Sequence, residues 1–170
     1  DSVDGRVLKG LNFKPDMSWF KNRSSATWHL LFDAVRGTGK SLFPNENVVE
    51  GTDAHITSFN DDGVTMQHVD SGTINVGGSK YVGWFWDAGT AAATPSTDGS
   101  VTLAGQWVNA TAGFSITKWT GTGANATIGH GLGAKPTFHV IKRTNATADW
   151  RIYNEGMGNT KSINWAETGA

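Results

Sequence analysis

Short apolar or alternating runs alternate along the chain with clusters of Gly, Asn, Asp, Ser and Thr, recurring roughly every eight to fifteen residues. That punctuation predicts an all-β protein with antiparallel strands. The predicted strands are Met17 to Lys21, Trp28 to Asp33, His55 to Phe59, Gly63 to Gln67, Tyr81 to Trp86, Gly113 to Thr120, Thr137 to Lys142 and Trp150 to Tyr153. Between the third and fourth, Asn60-Asp61-Asp62-Gly63 supplies the left-handed backbone conformations of a hairpin loop. Leu30, Leu31, Ala34 and Val35 have helical spacing, but Gly37 and Gly39 cut that run short. Period-two alternation puts Trp84 and Trp86 on one face of their strand and Phe85 on the other. Phe114 and Ile116 are expected to point inward from the strand that Trp119 ends.

Two stretches about 121 residues apart repeat one pattern. Lys14-Pro15 leads to Lys21, Trp28, Phe32, Gly37, Lys40-Ser41 and Leu42, while Lys135-Pro136 leads to Lys142, Trp150, Tyr153, Gly158, Lys161-Ser162 and Ile163. Gly10-Leu11 and Gly131-Leu132 extend the register upstream. A first copy over 1–90, a linker or long loop over 91–111 and a second copy over 112–170 are therefore expected. The second copy reaches Ala170 at a point where the first still has about fifty residues to run, as in a window cut from a longer repetitive protein. The segment AGTAAATPSTDGS, 88–100, has the small polar composition of a linker.

Composition narrows the function classes. Lys and Arg number 14 against 15 Asp and Glu, which argues against a nucleic-acid partner. With no cysteine there is neither a disulfide framework nor thiolate chemistry. No apolar run approaches the roughly 20 residues of a membrane-spanning helix, so no membrane insertion is expected. Eight tryptophans imply an aromatic-rich core or indoles on a binding surface.

Most motif-like features have plainer explanations. Gly37-Thr38-Gly39-Lys40-Ser41 imitates the end of a phosphate-binding loop, but Ala34 stands where the first glycine is required. Its twin, Gly158-Asn159-Thr160-Lys161-Ser162, lacks the glycine before the lysine, so both are expected to be turns. His29, His55, His68, His130 and His139 show no metal-ligand spacing, and His68 and Asp70 near Asp61 and Asp62 suit turn chemistry better than a Ca²⁺ loop. There is no Gly-x-Ser-x-Gly elbow, and Asp33, Asp87, Asp149 and Glu155 are single carboxylates. No catalytic residue, metal ligand or cofactor is expected. The Asn-x-Ser/Thr triplets at Asn22, Asn109, Asn125 and Asn145 are taken as turn chemistry, and the cations Lys21, Arg23, Lys142 and Arg143 as edge-strand charge.

The blocks 13–23, 31–37, 57–64 and 81–89, followed by 112–116, 120–133 and 150–153, resemble a repeat of long virion proteins of tailed bacteriophages, marine and cyanobacterial ones especially. Ser18 and Gly83 stand where larger residues are common in that repeat. The resemblance implies a tail-fibre or lectin-like structural module of the virion involved in host attachment, and no catalytic residue. The fold expected is an antiparallel β-sandwich in which two related copies surround an aromatic core. Trp107, Trp119 and Trp165, in more polar neighbourhoods than Trp84 and Trp86, are the candidate glycan-binding residues. Expected partners are a host cell-surface glycan or receptor, other virion proteins, and further copies of the chain in a homotrimer. The competing readings are a purely structural virion part and a glycan-cleaving enzyme.

Overall fold

A computed structural model describes residues 5–53, 55–68, 73–92 and 94–165. The protein is all-β, and among these residues the strands form small antiparallel sheets with no α-helix. In chain order the strands are β1 (Arg6–Lys9), β2 (Met17–Asn22), β3 (Leu30–Asp33), β4 (Ile56–Asn60), β5 (Gly63–Met66), β6 (Tyr81–Trp86), β7 (Thr90–Ala91), β8 (Leu103–Asn109), β9 (Phe114–Trp119), β10 (Phe138–Ile141), β11 (Trp150–Asn154) and β12 (Ile163–Trp165). They assemble as four three-stranded sheets with orders β1-β5-β4, β3-β2-β6, β7-β8-β9 and β10-β11-β12.

Alternation along the strands builds the sandwich. On β2 the side chains of Ser18, Phe20 and Asn22 are buried, while Met17, Trp19 and Lys21 are half-buried on the opposite face. Phe20, Leu30 and Phe32 from the β3-β2-β6 sheet pack in one cluster with Ile56, Val64 and Met66 from the β1-β5-β4 sheet. Phe43 and Ile74 belong to the same core, and Leu8, Phe59 and Phe85 pack at its margins. Burying such side chains stabilises by about 1.5–3 kcal/mol each, so this cluster is the main source of stability. The β4–β5 hairpin turns through Asp61 and Asp62, with Asn60 opposite Gly63. At Gly63, φ is 156°, and a side chain there would collide with the carbonyl of Leu8 on β1. The Asp62 carboxylate accepts the N–H groups of Gly10 (3.1 Å) and Asn12 (2.7 Å), which anchors the chain as it leaves β1.

The duplication is visible as hydrogen-bond register. Met17–Asp33, Ser18–Phe32, Trp19–Leu31 and Phe20–Leu30 pair across β2 and β3. At the repeat offset, Phe138–Asn154, His139–Tyr153, Val140–Ile152 and Ile141–Arg151 pair across β10 and β11. The bridge between Leu31 and Leu42 has its counterpart in Ile152 and Ile163. Even the bond from Ala34 N–H to Asp16 O, 2.8 Å, recurs as Glu155 N–H to Thr137 O, 2.8 Å.

The Gly-Thr-Gly-Lys-Ser segment is a turn between β3 and that bridge, held by a buried arginine. Arg36 Nε donates to Asp33 Oδ2 at 2.6 Å, Nη1 to Glu50 Oε2 at 3.1 Å, and Nη2 to the carbonyl of Leu31 at 3.2 Å. In the second copy Met157 occupies that position, within a single 3-10 turn, Glu155–Met157, capped by Asn154 and Gly158.

Three expectations need correction. The stretch 91–111 is no mere linker: it contains β8, which pairs with both β7 and β9, and its buried Gln106 donates to Gly129 O at 3.0 Å. Sequence pattern hid this strand because Gly105 and a register shift after Leu103 break the alternation. Phe114 and Ile116 are only half-buried and belong to no core cluster. Lys21 lies on the central strand of its sheet, not on an edge, and its ammonium donates to Thr27 O at 2.7 Å.

The two copies meet through Trp150, which is only 4% exposed. Its indole N–H is shared between Phe43 O (3.2 Å) and Glu46 O (2.9 Å) of the first copy. Main-chain bonds from Glu50 N–H to Thr144 O and from Ala148 N–H to Asn47 O, both 2.9 Å, flank it. Trp150→Phe keeps the ring but orphans these carbonyls, and is expected to cost about 1–3 kcal/mol in urea unfolding.

Asp16 adds a pH dependence. It is buried, with Oδ2 accepting the N–H of Ala88 at 3.0 Å. Burial pushes its carboxyl up to about 6, the Ala88 bond opposing and the neighbouring Asp87 adding to the rise. The folded state therefore holds a proton that the unfolded chain releases near its ordinary 3.8, so stability falls as pH rises from about 4 to 6. In urea titrations at a series of pH values, Asp16→Asn should remove this part of the decline and gain on the unsubstituted protein across that window.

Candidate functional site

Two adjacent aromatic residues on a strand cannot both face the core, and β2 and β6 each carry such a pair. Phe20 and Phe85 take the inner face, so Trp19 and Trp84 are driven to the outer one. They lie directly opposite each other across β2 and β6, ring centroids 5.7 Å apart and tilted by 58°. Trp84 is 44% exposed. From the second copy, β12 brings Trp165 against Trp19 at 5.2 Å and 56°. Trp165 in turn faces Trp150 across β11 and β12, with centroids at 6.2 Å.

The result is a row of four indoles, Trp84, Trp19, Trp165 and Trp150, running from an exposed end to a buried one. Each tilted contact contributes about 0.5–1.5 kcal/mol beyond area burial. The row is fixed at its centre as well as its end, because Trp19 Nε1 donates to His29 Nδ1 at 3.1 Å. That bond requires His29 Nδ1 to be unprotonated, and burial, helped by the charge of Lys21, lowers the imidazole's pKa in the same direction. His29 is itself oriented by its backbone N–H, which donates to Asn45 Oδ1 at 2.7 Å. Trp86 and Met17 form the neighbouring cross-strand pair on the same face. Such a platform offers apolar ring faces, spaced on the scale of a pyranose ring, with indole edges supplying polarity.

Of the residues singled out from sequence, Trp165 sits inside this row. Trp107 lies on β8, opposite Ile116, with the Lys14 ammonium 5.9 Å above its ring. Trp119 ends β9 opposite Leu103. Among the described residues no ring contact joins either to Trp165, so the three do not form one surface. Sequence reasoning missed Trp19, Trp84 and Trp150, although Trp19-Phe20 and Trp84-Phe85-Trp86 carry the signal, since alternation forces one set outward. Trp28, 45% exposed, packs edge-on against Phe43 at 5.1 Å and stands apart from the row.

Among the described residues no group of three His, Asp or Glu side chains could hold a metal ion, and no helix is long and apolar enough to cross a membrane. Asp70, weighed with His68 as a Ca²⁺ ligand, and the stretch 166–170 lie outside the described residues.

The row makes a spectroscopic prediction. Indoles this close should couple to give an exciton couplet in the far-ultraviolet circular dichroism spectrum. Trp19→Phe removes the ring shared by Trp84 and Trp165 and should abolish most of the couplet; loss of an equal amplitude on Trp28→Phe would contradict the arrangement.

A model of the family described as Domain of unknown function (DUF7483) matches residues 1–170. No curated protein and no solved structure matches the chain.

Proposed function

We propose that this chain, which belongs to the DUF7483 family, is a virion structural protein of a tailed phage that works as a tail-fibre or fibre-like adhesin binding a host cell-surface glycan. The observation that carries the binding half of this reading is the indole row from Trp84 through Trp19 to Trp165. Its exposed end offers ring faces on which sugar rings can stack, while Trp150 anchors the other end between the two copies. A platform ordered before the ligand arrives loses little side-chain entropy on binding, which suits adhesion to a repetitive surface. The virion half rests on the sequence resemblance of the blocks 13–23 and 112–133 to phage fibre repeats. Assembly as a homotrimer and contact with other virion proteins belong to the same reading; multiple copies would raise avidity for a dense glycan without any new contact.

The test is a glycan array probed with the folded protein, followed by titration of any hit with tryptophan fluorescence. Trp84→Ala and Trp165→Ala should each weaken binding by up to about tenfold, as expected for loss of a ring contact worth about 0.5–1.5 kcal/mol. Absence of binding across the array, with circular dichroism showing an intact fold, would support a purely structural virion part instead. Release of reducing ends from a bound glycan would support the glycan-cleaving alternative.

A further inference from the structure

The indole row has one member whose place depends on a group that titrates. Trp19 is the ring shared by Trp84 and Trp165, and its Nε1 donates to His29 Nδ1 at 3.1 Å with no second acceptor among the described residues. The indole and the imidazole stand 5.8 Å apart at 56°, so Trp19 is held by His29 as well as by its two indole neighbours. Trp150, by contrast, gives its indole proton to the main-chain carbonyls of Phe43 and Glu46, which carry no titration. Histidine is the side chain whose ordinary charge change falls between about pH 5 and 8. The row is therefore fixed at its buried end by groups indifferent to pH and at its centre by one that is not.

The surroundings of His29 keep that acceptor in place. Its backbone N–H donates to Asn45 Oδ1 at 2.7 Å, and Asn45 Nδ2 donates to Glu46 Oε1 at 3.0 Å. The carbonyl of the same Glu46 accepts the Trp150 proton at 2.9 Å, so one loop orients the acceptors of both Trp19 and Trp150. Among the described residues, the charged side chains on the elements that hold His29 are Lys21 on β2 and Glu46 in this loop. The Glu46 carboxylate is engaged by Asn45, and the Lys21 ammonium is fixed on Thr27 O at 2.7 Å. Burial, with the charge of Lys21 adding to it, holds the imidazole below its ordinary 6.5, so Nδ1 is free to accept at neutral pH and gains a proton only in acid. Once it does, two N–H groups face each other and neither can accept. The bond is lost, and the indole either moves or keeps an unpaired donor.

We propose that His29 is a pH-sensitive positioning residue for the indole row: unprotonated at Nδ1 it holds Trp19 against Trp84 and Trp165, and its protonation releases Trp19, so that the platform is set at neutral pH and loosened in acid. Trp19 is the ring through which Trp84 and Trp165 are joined, and its release separates the exposed end of the row from the end anchored in the second copy. On the reading of the row as a glycan platform, on which this consequence rests, affinity for a stacked sugar falls over the same pH range.

The experiment follows the exciton couplet of the row by circular dichroism, and the His29 ring protons and the Trp19 indole N–H by NMR, from about pH 8 to about pH 4. The couplet should lose most of its amplitude as pH falls, with a one-proton profile whose midpoint coincides with the titration of the His29 ring and with the shift of the Trp19 N–H, while the amide signal of the strands persists. His29→Gln offers the indole an oxygen that does not titrate and should keep the couplet across the range. Asp16→Asn, which removes a buried carboxyl that titrates in the same window, should leave the transition in place. A couplet that holds its amplitude while the His29 ring titrates would overturn the proposal, as would an acid transition that persists in His29→Gln or vanishes in Asp16→Asn. If His29→Gln does not fold, the unsubstituted protein decides: coincident midpoints support the proposal and separate ones overturn it. No glycan enters these measurements, so their failure leaves a stacking platform indifferent to pH, and an empty glycan array leaves the switch standing.

Discussion

The antiparallel register of the β2–β3 hairpin is the constraint from which the rest follows. A slip of one residue would send Ser18, Phe20, Leu30 and Phe32 to the outside and bring Trp19 and Leu31 into the sandwich. The outer set could not fill that space, because the opposing sheet presents Ile56, Val64 and Met66 in positions complementary to Phe20 and Phe32. Placing Phe20 and Phe85 inside therefore places Trp19 and Trp84 outside, opposite each other. The indole row is a consequence of how the core is packed, and it is as well fixed as the core.

The second copy holds the row from the other side. Trp150 donates its indole proton to carbonyls of the first copy, and a strand partner, Trp165, reaches from it to Trp19. A buried polar group that satisfies two carbonyls at once is specific in a way that apolar contact alone is not, since any displacement leaves acceptors unpaired. The same residue thus sets how the copies meet and where the row ends. The row and the docking of the copies are joined here, for a change that loosens the docking of β11 and β12 also displaces Trp165 from Trp19.

Much of the fold was legible in the sequence because alternating strands with turn residues at their ends leave a strong pattern. Strands β2 to β6 and β9 to β11 follow it closely, and the β4–β5 hairpin falls at its Asn-Asp-Asp-Gly loop. Those that escaped have physical reasons. β7 and β12 are two and three residues long, too short for any period to register. β1 is four residues with exposed ends, and β8 is broken by Gly105 and a bulge and buries the polar Gln106 as well as Leu103. β12 could have been placed by the repeat alone, since Ile163 stands where Leu42 bridges to Leu31. At the site, local polarity was a poor guide to exposure. It pointed to Trp165, which lies in the row, but overlooked Trp84, which lies in an apolar run and is exposed because its neighbours Phe85 and Gly83 face the core side and the Phe20 ring.

The two copies show what a duplicated hairpin can do when only one of its faces is held constant. The outer face stays apolar in both, Leu31 and Ile152 at one position, Met17 and Phe138 at another. The inner face diverges: in the first copy it is sealed, and Arg36 draws the following turn tight by binding Asp33, Glu50 and the Leu31 carbonyl together. Such a clamp is tolerable because two carboxylates and the carbonyls of Leu31 and Lys40 meet the guanidinium, and removing Asp33 or Glu50 would leave its charge poorly compensated. Met157 cannot make it. The twin turn is then a short 3-10 turn with Glu155 and Gly156 exposed, beside the stacked rings of His139 and Tyr153. Loss of the Arg36 clamp thus goes together with the change of turn geometry from the first copy to the second.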